Sequence, residues 1–386
     1  MLLVNAYILT MSGPDIENGY VEVEGGRIKN VGSMPEFTRE IPPDAIRLDG
    51  KYLLPGFVDA HSHLGMCEEG VGIEGDDINE PSDPITPHIR ALDAMNPIDR
   101  AVREALLGGV TCAVASPGSS NPIGGQICAF KTTGRLIDRM IVAEPLAMKF
   151  AFGENPKHEH GAKDRAPMSR MASVAMIREA LTRARRYMDS VLRSQAEDDP
   201  AGLPELDFKS EALIPLLKGE LRAHMHAHRA SDILCALRIA KEFGLDCTVI
   251  HATEGHLIAD ILAEQNIRVV CGPMLSTRSK PELSNMDYGN AAILAQHGIE
   301  AAICSDHPET PARYLSTCAA VACAEGMDEH QALLAITLWA SRAVGLEHRL
   351  GSIEAGKDAD FLVFAGHPMR SPRPPEMVFV DGVRVV

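Results

Sequence analysis

The sequence predicts an α/β protein in which a (β/α)8 TIM-like barrel is joined to a small β-sandwich domain built from both chain ends. Three observations carry this prediction. Apolar strand-like runs alternate with helical patterns through the middle of the chain, which is typical of a parallel sheet. Both chain ends contain only short strands and turns. The length of 386 residues exceeds one ordinary domain, but it suits a barrel of roughly 250 residues with an added module.

The two ends of the chain are predicted to share one accessory domain. Residues 1–52 contain short strand-like runs, and Gly25-Gly26 supplies a hairpin turn between two of them. Residues 352–386 likewise contain short strand-like runs separated by turn residues. Neither segment is long enough to bury a core alone. We therefore predict that residues 1–52 and 352–386 form the β-sandwich and that residues 53–351 form the barrel.

The elements of the barrel follow in chain order. Short apolar runs bounded by turn residues predict strands, and amphipathic runs with capping residues predict helices. Strand-like runs cover residues 53–60, 110–115, 145–152, 221–227, 247–251, 268–271 and 301–304. Helices are predicted at residues 99–109, 171–192, 231–243 and 328–339.

Histidines and an aspartate stand where several of these strands end. His61 and His63 end the first run, and because side chains alternate along a strand, both project from one face. His226 and His251 end two later runs, and Asp306 follows another. The strand ends of a parallel barrel open on one mouth, so these side chains are expected to converge. Imidazole and carboxylate groups suit zinc, so the pattern predicts a metal site.

The order of these motifs, and one further motif, point to a known family. Residues 56–63 contain the first histidine pair, single histidines follow two later strands, and Ser305-Asp306 comes late. The pattern resembles the amidohydrolase superfamily over nearly the whole chain, and it is closest to the imidazolonepropionase-like branch. Residues 351–364 resemble the strand that closes that superfamily's accessory domain.

The resemblance implies a metal-dependent hydrolase that acts on carbon–nitrogen bonds other than ordinary protein peptide bonds. His61, His63, His226, His251 and Asp306 would hold one or two divalent ions, for which we expect zinc. A metal-bound hydroxide would attack a cyclic or linear amide, and Asp306 would accept the proton of the water and deliver it to the leaving nitrogen. Two alternatives stay open. One is a deaminase of a ring amidine with one metal, and the other is a non-catalytic scaffold with the same fold.

A bridging ligand would convert a one-metal site into a two-metal site. Lys149 shares a strand face with the small residues Ala147 and Ala151. Burial there would lower its pKa, and the neutral amine would react with carbon dioxide to give a carbamate. Such a carbamate bridges two ions in similar family members. Glu154 is a rival bridge that needs no modification, and the third option is no bridge.

Other polar residues near the strand ends have separate predicted roles. Alignment with the family pattern identifies His226 as the ligand, so His228 is expected beyond the strand end, where it would contact substrate. Arg229 and Glu154 are also predicted to bind substrate. His224 is expected deeper in the barrel as a hydrogen-bonded core residue. Three loops are expected to be functional, namely residues 68–80, 116–126 and 153–158.

Composition limits the partners of the chain. The net charge of −16 argues against binding nucleic acid or an anionic membrane, which requires basic patches. Nine cysteines without a Cys-x-x-Cys pair suggest a reducing compartment. The N-terminus lacks a signal-peptide pattern, and no apolar run approaches the length of a membrane span. We expect a cytoplasmic homo-oligomer that acts on a small-molecule substrate.

Overall fold

The protein contains two eight-stranded sheets, one curved into a nearly closed barrel and one built from both chain ends. The structure is a computed structural model that describes residues 1–370 and 373–386. The fold class predicted from the sequence is confirmed, with the barrel as the larger part and the accessory sheet beside it.

Five N-terminal strands form most of the accessory sheet. They are β1 (Leu2–Ile8), β2 (Ile16–Glu24), β3 (Arg27–Ser33), β4 (Ile46–Arg47) and β5 (Tyr52–Pro55). Gly25 and Gly26 join β2 to β3 and have φ values of 58° and 78°. Positive φ at both central residues is the requirement of a tight hairpin turn, and glycine meets it without steric cost.

Eight strands lie side by side in chain order and make up the barrel. They are β6 (Phe57–Ser62), β7 (Val110–Ala115), β8 (Ile123–Lys131), β9 (Ile141–Ala151), β10 (Arg222–Ala227), β11 (Cys247–His251), β12 (Arg268–Cys271) and β13 (Ala301–Ile303). The first and last strands meet beyond the end of β13. There the Asp306 N–H donates to the His61 carbonyl at 3.1 Å, and the His63 N–H donates to the His307 carbonyl at 2.8 Å.

One strand of the barrel runs against the others. β8 pairs antiparallel with both β7 and β9, whereas the other neighbouring pairs are parallel. The expectation that every strand end opens on the same mouth is therefore wrong for β8. The physical reason is the short connection at residues 116–122, since a parallel pair needs a long crossover and a hairpin does not. The loop predicted at residues 116–126 accordingly ends earlier, because β8 begins at Ile123.

Eleven helices are present in the described part of the chain. They are α1 (Arg100–Leu107), α2 (Ile137–Met140), α3 (Glu154–Gly161), α4 (Arg170–Ala196), α5 (Phe208–Leu217), α6 (Ala230–Phe243), α7 (Ala259–Glu264), α8 (Asn290–Gln296), α9 (Leu315–Ala324), α10 (Glu329–Ala335) and α11 (Leu338–Val344). The prediction of a single helix at residues 328–339 is wrong, because residues 336 and 337 are not helical and separate α10 from α11. At the break the Thr337 hydroxyl donates to the Leu333 carbonyl at 2.6 Å, a side-chain bond that competes with the regular helix ladder. Among the described residues, no helix has the length and apolar character needed to cross a membrane.

The end of the chain returns to the accessory sheet. β14 (Phe361–Phe364), β15 (Met377–Val380) and β16 (Val383–Arg384) follow the last helix, and β14 pairs antiparallel with β5. Apolar side chains from both ends, such as Leu3 and Phe361, share one buried core. The division of the chain after residues 52 and 351 stays a prediction. Its C-terminal segment includes residues 371 and 372, which lie outside the described residues.

A buried ion-pair network lies between β8 of the barrel and the segment that leads into β14. The Lys131 ammonium lies 2.6 Å from an Asp360 oxygen and 3.0 Å from an Asp358 oxygen, and Arg349 donates to Asp358 at 2.9 Å. Burial opposes the charge of Lys131, but Asp360 and Asp358 outweigh burial and raise its pKa. The network therefore joins the barrel to the accessory sheet through charges that depend on one another.

Candidate metal centre

The barrel brings six predicted ligand side chains to one region. His61, Lys149, His226 and His251 belong to β6, β9, β10 and β11, while His63 and Asp306 lie just beyond β6 and β13. All of these strands are mutually parallel. Their C-terminal ends therefore share one face of the barrel, which is the face where barrel active sites lie.

Two groups of potential ligands overlap at one histidine. The first contains His61, His251 and Asp306, and the second contains His226, His228 and His251. In each group, the nitrogen and oxygen atoms able to bind a metal lie within 4.8 Å of one another. An Asp306 oxygen is 3.5 Å from His61 Nε2 and 3.5 Å from His63 Nε2. Because His251 belongs to both groups, the arrangement has room for one ion or for two adjacent ions.

Outer contacts fix which ring nitrogen faces the centre. His63 Nδ1 donates to the Ser116 carbonyl at 2.6 Å, and His251 Nδ1 donates to the Gly272 carbonyl at 2.9 Å. A carbonyl only accepts, so Nδ1 carries the proton in both rings and Nε2 keeps its lone pair. Metal-binding histidines in proteins are oriented by such second contacts.

The protonation of these groups suits a cation. Burial, followed by the charge of Lys149, lowers the pKa of His61 well below its ordinary value and that of His63 to about 3. Burial likewise lowers the pKa of His226 and His251. Neutral imidazoles with free lone pairs are donors that zinc prefers. Burial raises the pKa of Asp306, and a cation held beside it would favour its ionised form. The side chains present therefore fit a divalent ion.

The Asp306 carboxylate is held in a strained backbone position. Asp306 has φ 54°, in the left-handed region that a residue with a side chain rarely adopts. The preceding residue, Ser305, is anchored because its N–H donates to the buried Asp59 carboxylate at 3.0 Å and its hydroxyl donates to the same group. The Ser305 hydroxyl oxygen also accepts from the His307 N–H at 3.0 Å. Backbone strain that the surroundings enforce in this way is characteristic of functional sites.

Lys149 is fully buried on the inner face of β9. The outer face of this strand carries Met148 and Phe150, which pack against the helices. Lys149 Nζ lies 3.4 Å from His61 Nε2. Burial lowers the pKa of Lys149, and the negative charge of Asp306 acts against that shift. The amine is therefore next to the potential ligands, and it loses its proton more readily than an ordinary lysine does.

Three residues differ in position from their predicted roles. The Glu154 carboxylate does not line the cavity and instead accepts from the Glu282 N–H at 3.2 Å. Arg229 is exposed at the start of α6 and is also absent from the cavity wall. His224 is buried, but neither ring nitrogen has a hydrogen-bond partner among the described residues. The expectation of a hydrogen-bonded His224 is therefore wrong. Its polar strand neighbours contact other groups, since the Thr248 hydroxyl donates to the Ala343 carbonyl at 2.8 Å and Lys149 Nζ lies beside His61.

His228 lies beyond β10, as expected from the length of the strand run. It lines the cavity and its Nδ1 is 2.7 Å from the Thr253 hydroxyl. Its ring stacks on that of His251 at a centroid distance of 4.7 Å. The position allows contact with a substrate, and it also makes His228 a potential ligand alongside His226 and His251.

A cavity of about 420 Å³ opens above the cluster. Its walls come from loops that follow β6, β7, β9, β12 and β13. Sequence reasoning missed Asn155 and Lys280, which both line this cavity. Asn155 lies within residues 153–158, where the sequence predicts a functional loop and gives a role only to Glu154. That loop prediction is wrong, because the helix α3 begins at Glu154. Lys280 lies in the long irregular connection between β12 and α8, where the sequence pattern does not show which way a side chain points.

The barrel and the cluster of potential ligands place the protein among barrel proteins that carry a candidate site for one or two metal ions at the C-terminal ends of their strands. The chain belongs to the amidohydrolase family, whose model matches residues 52–385. The predicted resemblance is thereby confirmed. Members of this family are hydrolases of carbon–nitrogen bonds and are generally metal-dependent, so the protein is a hydrolase of that kind.

Individual relatives agree with this assignment. The chain is 41% identical to an amidohydrolase from Thermotoga maritima MSB8 of known crystal structure, with a TM-score of 0.95, covering 100% of this chain and 99% of that one. It is 32% identical to amidohydrolase tasK of Hapsidospora irregularis over 94% of this chain, but it spans only 39% of the length of that protein. An imidazolonepropionase of Symbiobacterium thermophilum is 26% identical, over 91% of this chain and 84% of its own length.

Proposed function

We propose that the protein hydrolyses a cyclic or linear amide with the help of one or two divalent ions, which we expect to be zinc. His61, His63, His226, His251 and Asp306 would hold the ions. The observation that carries the proposal is the pair of ligand groups that share His251 beneath a cavity large enough for a small molecule. A bound divalent ion would lower the pKa of water and polarise the amide carbonyl.

The chain's own residues supply proton transfer. Asp306 is close to His61 and His63 and borders the cavity, so its carboxylate can accept a proton from a water held there. Burial raises the pKa of Asp306, although Lys149 opposes that shift. A raised pKa lets the carboxylate keep the proton until the leaving nitrogen accepts it, as general base and then general acid. The anchored Ser305 keeps this carboxylate in one orientation.

We also propose that a carbamate on Lys149 bridges two ions. The buried amine next to His61 and its lowered pKa support this choice. A neutral amine adds to carbon dioxide and loses one proton, which gives the anionic carbamate. Glu154 is less suited to the bridge because its carboxylate accepts from the Glu282 N–H.

Metal analysis and metal removal test the proposal. Purified protein should contain one or two zinc ions per chain, and two would favour the Lys149 bridge. Chelation should abolish turnover of an amide found in a screen of amides, lactams and dipeptides, and added zinc or manganese should restore it. Protein that binds no metal and retains its fold would instead support the non-catalytic scaffold.

Deamination of a ring amidine is the second candidate. Two deaminases, acting on 5′-deoxyadenosine and on 5-methylthioadenosine or S-adenosylhomocysteine, are 40% and 42% identical to this chain over 68 and 65 residues. These matches cover only 17% and 16% of the chain, so amide hydrolysis remains the preferred proposal. Release of ammonia from amidines in the same screen, without cleavage of any amide, would reverse that preference.

A cytoplasmic location and homo-oligomeric assembly belong to the same proposal. The nine cysteines are all free thiols, which is the expected state in a reducing compartment. Cell fractionation tests the location, and light scattering after size-exclusion chromatography tests the assembly.

A further inference from the structure

Lys280 brings a cation into the cavity from the loop between β12 and α8. It lines the cavity and its side chain is 30% exposed. Lys280 Nζ lies 2.7 Å from a Glu282 oxygen and donates to Asn155 Oδ1 at 3.0 Å. An ammonium group has three N–H donors. One is donated to Asn155, and the ammonium group forms an ion pair with Glu282, which leaves an N–H available to a molecule in the cavity.

The partners hold the ammonium close to the candidate metal centre. Asn155 Nδ2 donates to the Ser119 hydroxyl at 2.7 Å and lies 3.4 Å from His226 Nε2. Glu282 is buried, and its second oxygen accepts from the Glu154 N–H at 3.0 Å. A single asparagine therefore connects the ammonium to a predicted metal ligand, which puts the charge within reach of a group attached to the scissile bond.

The charges around the cavity are unevenly distributed. Apart from Lys149 in the metal centre, Lys280 is the one lysine or arginine among the described residues that line the cavity. The acidic residues of the wall outside the centre, namely Asp76, Asp287 and Glu309, are exposed. An anionic group on a substrate would be repelled by these carboxylates and attracted by Lys280, so it has one favourable position.

We propose that Lys280 binds a carboxylate on the substrate, so that the substrate is an amide with a carboxylate a few atoms from the scissile C–N bond. This inference rests on the proposed amide hydrolysis and names its substrate class. A free Lys280 N–H donates to the carboxylate, and the carbonyl of the amide would then face the histidines and Asp306 that would hold the ion. The contact fixes the orientation of the substrate, since charge-assisted hydrogen bonds are stronger than neutral ones.

Matched substrates provide the first test. Each anionic amide, such as an N-acylglycine, is paired with the amide that lacks only the carboxylate, here the N-acyl-methylamine with the same acyl group. We expect the metal-loaded protein to favour the anionic member by about tenfold or more in kcat/KM. Equal or better hydrolysis of the neutral members would overturn the assignment of Lys280 and leave amide hydrolysis intact. Hydrolysis of neither member of any pair would overturn the proposed function itself.

Variants of Lys280 separate binding from a structural role. Lys280→Met should lower kcat/KM for the anionic amide about 10- to 100-fold, mainly through KM, and should change the neutral amide less than about threefold. Lys280→Arg should recover part of the loss because it keeps the charge. The control is Lys218→Met, which removes an exposed lysine between α5 and the N-terminal end of β10, whereas the cavity lies at the C-terminal end of that strand; this variant should behave as wild type.

A double variant tests whether Lys280 merely neutralises Glu282. The double variant Lys280→Met/Glu282→Gln removes both the ammonium group and the buried carboxylate with which it pairs, so no unpaired charge is left behind. If Lys280 contacts the substrate, the double variant keeps the loss for the anionic amide. Recovery of the wild-type preference in the double variant, or an equal loss on both substrates in Lys280→Met, would overturn the proposal.

Discussion

At the scale of single residues, Asp306 is the group that we propose accepts and delivers the proton. Asp306→Asn keeps the shape of the side chain but removes the proton acceptor, so turnover should fall by roughly 10² or more. Bound metal should be largely retained, because the histidines remain. Turnover and metal content of the same preparation give the measurement. Near-normal turnover with full metal content would refute the role of Asp306.

Lys149 offers a second prediction at this scale. Lys149→Met keeps the side-chain length without the amine, so no carbamate can form. We expect the variant to lose one of two ions and its turnover to fall at least about tenfold, because a ligand shared by both ions is missing. Elemental analysis and rates before and after removal of carbon dioxide from wild-type protein give the readout. Unchanged metal content in Lys149→Met would eliminate the carbamate bridge.

The sequence predicts residues at strand ends better than residues in loops. His61, His226 and His251 are recognisable because an apolar run directly precedes each of them, and a strand fixes where its last side chains point. Asn155 lies at the start of α3 and Lys280 in the irregular connection after β12, so the local sequence pattern does not show where either side chain points. Arg229 is predicted to bind substrate although it does not line the cavity. It is next to His228 in the chain, but its side chain lies elsewhere.

At the scale of elements, the junction between β6 and β13 depends on Asp59. Asp59→Ala leaves the buried Ser305 N–H and hydroxyl without their acceptor, which should lower the free energy of unfolding by about 1–3 kcal/mol. Turnover should also fall, because Asp306 follows Ser305 directly. Urea unfolding and kinetics check both effects. The control Asp44→Ala alters an exposed carboxylate and should stay within about 0.5 kcal/mol; equal effects of the two variants would contradict the role of Asp59.

The limits of sequence reasoning at this scale have physical causes. Hydrophobic periodicity identifies a strand but is the same in both directions, so the antiparallel course of β8 leaves no trace in the pattern. Gly124 and Gly125 also hide the start of β8, because glycine is typical of loops. The break between α10 and α11 contains neither glycine nor proline, so no usual stop signal marks it.

At the scale of the whole molecule, Lys131 connects the barrel to the accessory sheet. Lys131→Met leaves Asp358 and Asp360 buried without their shared cation, so the free energy of unfolding should fall by about 3–5 kcal/mol near neutral pH. Thermal and urea unfolding measure the loss. The exposed Lys29 is the matched control, and Lys29→Met should have little effect.

The deficit of Lys131→Met should depend on pH. In wild-type protein burial acts against ionisation of Asp358, but Lys131 and Arg349 outweigh it and lower the pKa of Asp358. Asp360 differs, because burial raises its pKa even in the presence of Lys131. Without Lys131 its pKa would lie still further above the unfolded value of about 3.9. The loss in free energy of unfolding caused by Lys131→Met is then largest above the folded pKa, and it becomes smaller as the pH falls through that pKa. A deficit that grows on acidification would contradict this account of the network.

The shared domain of the two chain ends can be tested by truncation. Deleting residues 368–386 removes β15 and β16, so the accessory sheet loses part of its core while the predicted metal ligands are all retained. We expect faster amide hydrogen exchange in residues 20–31, and protection in β10 and β11 should be preserved. Unchanged protection in residues 20–31 would mean that the N-terminal strands fold independently of the end of the chain.

The antiparallel course of β8 has a consequence for how the protein can change over evolution or in the laboratory. In a regular barrel, the second and the third strand are each followed by a separate loop on the face that carries the active site. Each of these loops can be lengthened without changing the other. Here residues 116–122 are one short hairpin tied at both ends to adjacent strands. That wall of the cavity therefore tolerates few insertions. New substrate preferences would arise more readily through the long connections at residues 63–99 and 272–289, which makes these two segments the appropriate targets for mutant libraries.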